Sequence, residues 1–197
     1  DYFNFLLSGR MTNGLAIAGT TQLLDIHGED WSRAALDYFR VPPTWLTTPV
    51  RSGTKLGRVR GFAGLERTEV IAVPGHDTTC AYDAMPADPA GGDILLSSGT
   101  WSLVGFENDQ PLLGPEALAA RVANDRTGRA GRGRNFRPLI NVIGLWLLEG
   151  TMKDFANRPT GDAQWKKLID SASRLSPLAH CLDVTDPAFA NPPSMKA

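Results

Sequence analysis

Residues 93–105 read DILLSSGTWSLVG, and no other stretch restricts the fold as much. Two short apolar runs rich in strand-forming residues meet at Ser97-Ser98-Gly99-Thr100. Four small residues are too few for a helical crossover and enough for a tight bend, so an antiparallel strand pair is expected, and with it a sheet. What the bend does stays open on these residues alone. Ser and Gly are ordinary turn residues, which favours a plain β-turn. Gly99 also permits positive φ and close approach, and Thr100 offers a hydroxyl beside its amide, a combination that suits phosphate oxygens.

Around this pair the chain alternates between element types. Residues 2–8 and 30–40 read as helices, the second from Trp31, Ala34, Ala35, Leu36 and Phe39 at helical spacing, ended by Pro42-Pro43. TNGLAIAGTTQLLDIHG between them reads as loop, where Thr20, Thr21 and Gln22 serve equally as pocket lining or helix capping. Residues 41–68, with three prolines and four glycines, read as a connecting segment. EVIAVP suits a buried strand, and GHDTTCAYDAM a turn that opens a helix. GPEALAARV predicts a short helix with proline in its first turn. NDRTGRAGRGRNFRP, holding Arg126, Arg129, Arg132, Arg134 and Arg137, reads first as a solvated loop, with a phosphate clamp or a nucleic-acid contact as the alternatives. A largely buried helix is expected over 139–156, with Trp146, Leu147 and Leu148 in the core, and an amphipathic one over 162–175. CLDVTDPAFANPPSM predicts a short strand and a proline-bounded loop. Mixed strands and helices argue for an α/β or α+β layered domain.

Charge and composition exclude little but point away from some classes. Lys+Arg at 20 against Asp+Glu at 21 leaves no global attraction to nucleic acid or anionic lipid. No apolar run approaches membrane-spanning length, so a membrane partner is not expected and the cytoplasm is the expected compartment. The arginine-glycine run has only Phe136 as an interleaved aromatic, and nucleic acid is not expected to bind there. Cys80 and Cys181 read as reduced thiols, and His27, His76 and His180 have no metal-ligand spacing. The chain opens without Met on DYFNFLL and ends just after Ser194, which resembles a helix N-cap, so a piece of a longer protein is expected.

Asp77, directly after a strand signal and Gly75, lies where α/β proteins place site residues, although on these residues alone an Asp in a helix N-cap explains it slightly better. Taken together, PGHDTTCAYDAMPA, ILLSSGTWSLVGFE and NVIGLWLLEG resemble the FGGY carbohydrate kinases in order and spacing. Within that family they are most similar to the branch acting on L-rhamnulose, with its HDT triplet, SSGTWSL loop and N-x-x-GLWLL helix. NFLLSG and GTTQLLD look like an earlier segment of the family and LDVTDPAFANPPSM like a later one, so the resemblance covers essentially the whole chain.

The resemblance implies an α/β, ribonuclease-H-like fold of the actin-like ATPase superfamily, incomplete here. Residues 1–67 would end the sugar-binding domain, itself of the same kind, and 68–197 would begin the nucleotide-binding domain. It implies transfer of the ATP γ-phosphoryl group, with Mg²⁺ arriving on ATP, to a hydroxyl of a ketose such as L-rhamnulose. Carried over residue by residue, Asp77 matches the catalytic base, with His76 and Thr78 beside it as sugar contacts. Gly99 and Thr100 match the nucleotide-phosphate loop, Asn141 a substrate contact on the GLWLL helix, and Glu149 the place of an ATP-contacting Gln. Two departures, Asp125 for a family Glu and Glu149 for Gln, motivate the alternative of a catalytically inactive relative that binds sugar or nucleotide. The family's first phosphate loop and its adenosine-binding stretch do not occur in the chain, so these residues alone are expected to be inactive.

Overall fold

The fold is that of a computed structural model, which describes residues 1–86, 88, 91–99, 101–127, 136–153, 158–176, 183, 186 and 189. Thr100, Arg129, Arg132, Arg134, His180, Cys181 and Ser194 lie outside these residues, as does nearly all of the expected C-terminal strand and loop. The elements run α1 (Tyr2–Ser8), β1 (Asn13–Gly14), α2 (Leu15–Gly19), α3 (Arg33–Phe39), a 3₁₀ turn (Pro43–Trp45), β2 (Pro49–Val50), β3 (Lys55–Arg58), β4 (Glu69–Ile71) and α4 (Asp77–Ala84). There follow β5 (Leu95–Ser97), β6 (Trp101–Gly105), α5 (Pro115–Ala119), β7 (Ala123–Arg126), β8 (Phe136–Ile143), α6 (Leu145–Met152) and α7 (Asp162–Ala172). β1 pairs with β2 in parallel and β3 with β4 antiparallel, while β5, β6, β8 and β7 follow one another in that order in a four-stranded sheet.

The chain divides into two compact units, one of residues 1–97 and 104–140, the other of residues 98–103 and 141–197. In the first, α1 and the β3–β4 hairpin enclose a small core of Leu56, Val59, Val70 and Ala72, against which Leu7 and Val50 pack. Asn13 pins β1 to the segment ahead of β2, its side-chain oxygen accepting from both the Thr47 amide and hydroxyl at 2.9 Å. Further on, β6 presses so closely on β8 that a Cβ at Gly105 would stand 2.6 Å from the Pro138 carbonyl oxygen. Only glycine fits that approach. β7 lies antiparallel to β8, Arg126 opposite Phe136 and Ala123 opposite Leu139.

Several expectations fail here, each for a physical reason. Part of the expected loop after α1 is the helix α2, which buries Leu15, Ala16 and Ala18; five residues are too few to display a period. Residues 41–68 are not merely a connection, because β2 and β3 form within them, with a bulge at Gly57, whose φ of 133° a side chain would oppose. Residues 139–156 do not form one helix. The β-branched run up to Ile143 is strand, Gly144 breaks it, and only Leu145–Met152 is helical. α6 has no fully buried residue and Leu148 is exposed, so the expected core role of the Trp-Leu-Leu cluster is not seen within its own unit. β4 is also only half-buried, with Val70 inside and Ile71 outside.

At its two ends the arginine-rich stretch departs from a solvated loop, while residues 128–135 between them lie outside the described residues. Arg126 and Arg137, at its two ends, lie on β7 and β8 and are 5% and 0% exposed. The Arg137 guanidinium meets Asp83 at 2.9 Å and Glu107 at 3.2 Å and stacks over the Tyr82 ring at 4.8 Å. Arg126 lies over the Phe136 ring at 4.4 Å. Burial, and then the charge of Arg51, lower its guanidinium below the ordinary value, against the pull of Asp25.

Two outcomes follow for stability. Arg137→Ala would take a fully buried guanidinium away from two nearly buried carboxylates, and is expected to cost about 3 kcal/mol in urea unfolding. Burial also pushes the Tyr82 hydroxyl above its ordinary value. The unfolded chain then ionises first as pH rises. The stabilisation is fully present below about pH 10, the ordinary tyrosine value, and is lost as pH climbs toward the folded-state value. Tyr82→Phe is expected to flatten that alkaline decline in a pH series of unfolding midpoints.

Candidate functional site

The first candidate cluster forms where β4 hands over to α4. Gly75, with φ of 80°, turns the chain and brings its backbone close to α2, so that a Cβ there would stand 3.3 Å from Ile17 Cβ. His76 is extended and precedes the helix, and Asp77 is its first residue. The sequence placed this corner correctly. It left open whether Asp77 is the helix N-cap; that position is His76, and Asp77 Oδ1 accepts instead from the Thr78 amide at 2.6 Å and the Thr78 hydroxyl at 3.3 Å. The same oxygen faces His76 Nε2 at 3.5 Å. The Asp77 side chain is nonetheless 95% exposed, and its hydrogen bonds from described residues all go to Oδ1. Oδ2 is open to an incoming hydroxyl.

Behind this corner lies a residue the sequence reading passed over. Thr79, 2% exposed, donates its hydroxyl to Asp125 Oδ2 at 3.0 Å and approaches His76 Nδ1 at 3.5 Å. His76 and Thr79 are three apart, the spacing that places two residues on one face of a helical turn, which was a legible signal. Asp125 is 46 positions further on, and nothing local announces the contact.

The second cluster belongs to the other unit and holds Gly99, Asn141 and Glu149. Gly99 does not adopt the positive φ that its sequence allowed. Its carbonyl instead accepts from the Leu145 amide at 3.2 Å, tying the bend to the first turn of α6. Gly144 completes the junction, since a Cβ there would collide with the Ser102 hydroxyl and stand 3.1 Å from the Gly99 oxygen. Ser98 on the bend is exposed, Asn141 is exposed on β8 rather than on the helix where it was expected, and Glu149 is exposed on α6. Thr100, expected as the main phosphate donor, lies outside the described residues.

Thr20 and Thr21 resolve toward capping. Their hydroxyls donate back to the carbonyls of Ile17 and Ala18 at 2.7 and 2.6 Å, finishing α2. Cys80 is a free, half-buried thiol one residue past Thr79. Among the described residues no group of three or more His, Cys, Asp or Glu side chains is arranged to hold a metal ion, and no helix is long and apolar enough to cross a membrane.

No protein-family model matches the chain. Curated relatives do. The chain is 37% identical over 195 residues to a rhamnulokinase of Pectobacterium carotovorum subsp. carotovorum, an alignment covering 99% of this chain and 37% of that protein. It is 36% identical over 201 residues to a rhamnulokinase of Yersinia pestis, covering 99% and 38%. The chain thus spans little more than a third of the length of these relatives. Among solved structures, a xylulose kinase from Rhodospirillum rubrum superposes with a TM-score of 0.69 at 20% identity, covering 89% of this chain and 35% of that one. A glycerol kinase from Plasmodium falciparum with ADP superposes at 0.61 and 12% identity, covering 79% and 32%. The fold is therefore that of part of these sugar kinases, and over nearly its whole length the chain is similar in sequence to a stretch of the rhamnulokinases.

Proposed function

We propose that the protein to which this chain contributes is an ATP-dependent sugar kinase, phosphorylating a hydroxyl of a ketose such as L-rhamnulose in the cytoplasm. The observation that carries the reading is the Asp77 carboxylate: fixed through Oδ1 to its own helix turn, exposed through Oδ2, and carried by a chain 36–37% identical to rhamnulokinases. In this reading residues 1–67 belong to the sugar side of the enzyme and 68–197 to its nucleotide side.

Phosphoryl transfer through a loose transition state asks a protein for alignment and charge stabilisation more than for covalent chemistry. Asp77 Oδ2 would accept the hydrogen bond of the attacking hydroxyl and orient its oxygen toward phosphorus. It would receive the proton late, as the new O–P bond forms. His76 and Thr78 flank the same hydroxyl, and Asn141 would contact the sugar from β8. Gly99 and Thr100 would lie against the nucleotide's phosphates, where a bend without bulk lets backbone approach oxygen. Mg²⁺ carried on ATP would neutralise charge between the β- and γ-phosphates. Glu149 would serve ATP through a donor group of the nucleoside, since an exposed carboxylate repels phosphate oxygens.

The test is ADP release by the full-length protein across a panel of ketoses and polyols. Asp77→Asn is expected to lower turnover by about 10²- to 10⁴-fold, with sugar affinity retained within a few-fold. Saturable ATP binding without turnover of any sugar would replace this reading with that of an inactive binding relative.

A further inference from the structure

Four side chains run in a line from β7 to the exposed carboxylate. Asp125 Oδ2 receives the Thr79 hydroxyl at 3.0 Å, the Thr79 oxygen meets His76 Nδ1 at 3.5 Å, and His76 Nε2 faces Asp77 Oδ1 at 3.5 Å. A threonine hydroxyl has one proton to give. An ionised carboxylate only accepts, so that proton is committed to Asp125. The second contact of the Thr79 oxygen can then form only if His76 donates from Nδ1. In a neutral imidazole this leaves Nε2 bare, an acceptor pointed at another acceptor. Nε2 then has no donor at Asp77 Oδ1, which already accepts from Thr78, and the Asp77 carboxylate keeps Oδ2 open beside it. Both atoms are matched by donors from outside, and adjacent hydroxyls of a polyol supply them.

We propose that Asp125 and Thr79 are positioning residues that hold His76 in its Nδ1–H tautomer, so that Nε2 and the Asp77 carboxylate together form a two-acceptor clamp for neighbouring hydroxyls of the sugar. The inference rests on the kinase reading for its substrate, but not for its geometry. Thr79 is 2% exposed and touches no ligand itself, so its effect passes through His76. Without the Thr79 hydroxyl the imidazole is released to the Nε2–H tautomer, whose proton turns to Asp77 Oδ1 and closes the clamp.

The experiment labels the histidines of the full-length protein with ¹⁵N and reads the tautomer of His76, assigned by a His76→Gln variant, at about pH 8.5, two units above the ordinary histidine value. Wild type should report Nδ1–H. Thr79→Val and Asp125→Ala should each shift the signal to Nε2–H. The same two variants should lose about tenfold in kcat/KM for the sugar, with KM for ATP unchanged. Thr79→Ser keeps the hydroxyl and should keep both the tautomer and the activity. Because the residues act as one chain, the double variant should lose no more than the worse single one. An Nε2–H signal in wild type overturns the proposal, and so does a Thr79→Ser variant as impaired as Thr79→Val. The tautomer is read whether or not the protein turns over a sugar, so loss of the kinase reading would leave this result standing.

Discussion

A guanidinium with no access to water holds the larger unit of this chain together. Arg137 is 0% exposed and lies between Asp83 near the end of α4 and Glu107 just past β6, with Tyr82 beneath it. Removing three charges from water is expensive, and the mutual attraction offsets that only where the geometry is good. A cluster of this kind enforces position more than it adds stability. It fixes where α4 lies against β8, and α4 begins with Asp77. A helix is stiff, with a rise of about 1.5 Å per residue, so an anchor near one end sets the place of the carboxylate at the other.

That anchoring explains how an acid so exposed can be well placed. The Asp77 carboxylate has little protein around it, and its local bonds run to its immediate neighbours. Its precision comes from two sides: Gly75 backed onto α2, and Thr79 held by Asp125 from β7. The other unit solves its own problem differently. There the bend before β6 is fastened to α6 through the Gly99 carbonyl, and Gly144 has no room for a side chain against it. Glycine thus serves close approach in that junction, and a left-handed turn at Gly75.

What the sequence disclosed follows from range. α1, α4, α5, α7 and the strands either side of the Ser-Ser-Gly bend were readable, because each is announced by a run, a proline or a turn within a few residues. The turn and helix start that carry Asp77 were readable for the same reason. α2 and the short strands β1 to β3 were not, since two to five residues carry no period and their pairing partners lie far off in sequence. The 139–156 segment was misread because an apolar run without gaps suits a buried strand and a buried helix equally, and only Gly144 marks the change. The buried arginines were hidden most deeply. Arg137 finds Asp83 at a distance of 54 positions, and composition alone made a run of arginine and glycine look solvated.

The chain's ion pairs also divide by their exposure to salt. Arg33–Asp37, Lys55–Glu69 and Lys166–Asp170 stand in solvent, where dissolved ions screen them over about 8–10 Å at physiological strength. The cluster around Arg137 is nearly buried, its carboxylates only 12% and 13% exposed, and is screened much less. Brine would therefore fade the surface pairs and leave the placement of α4 unaltered, so that the helix bearing the exposed acid keeps its seat across a range of ionic conditions.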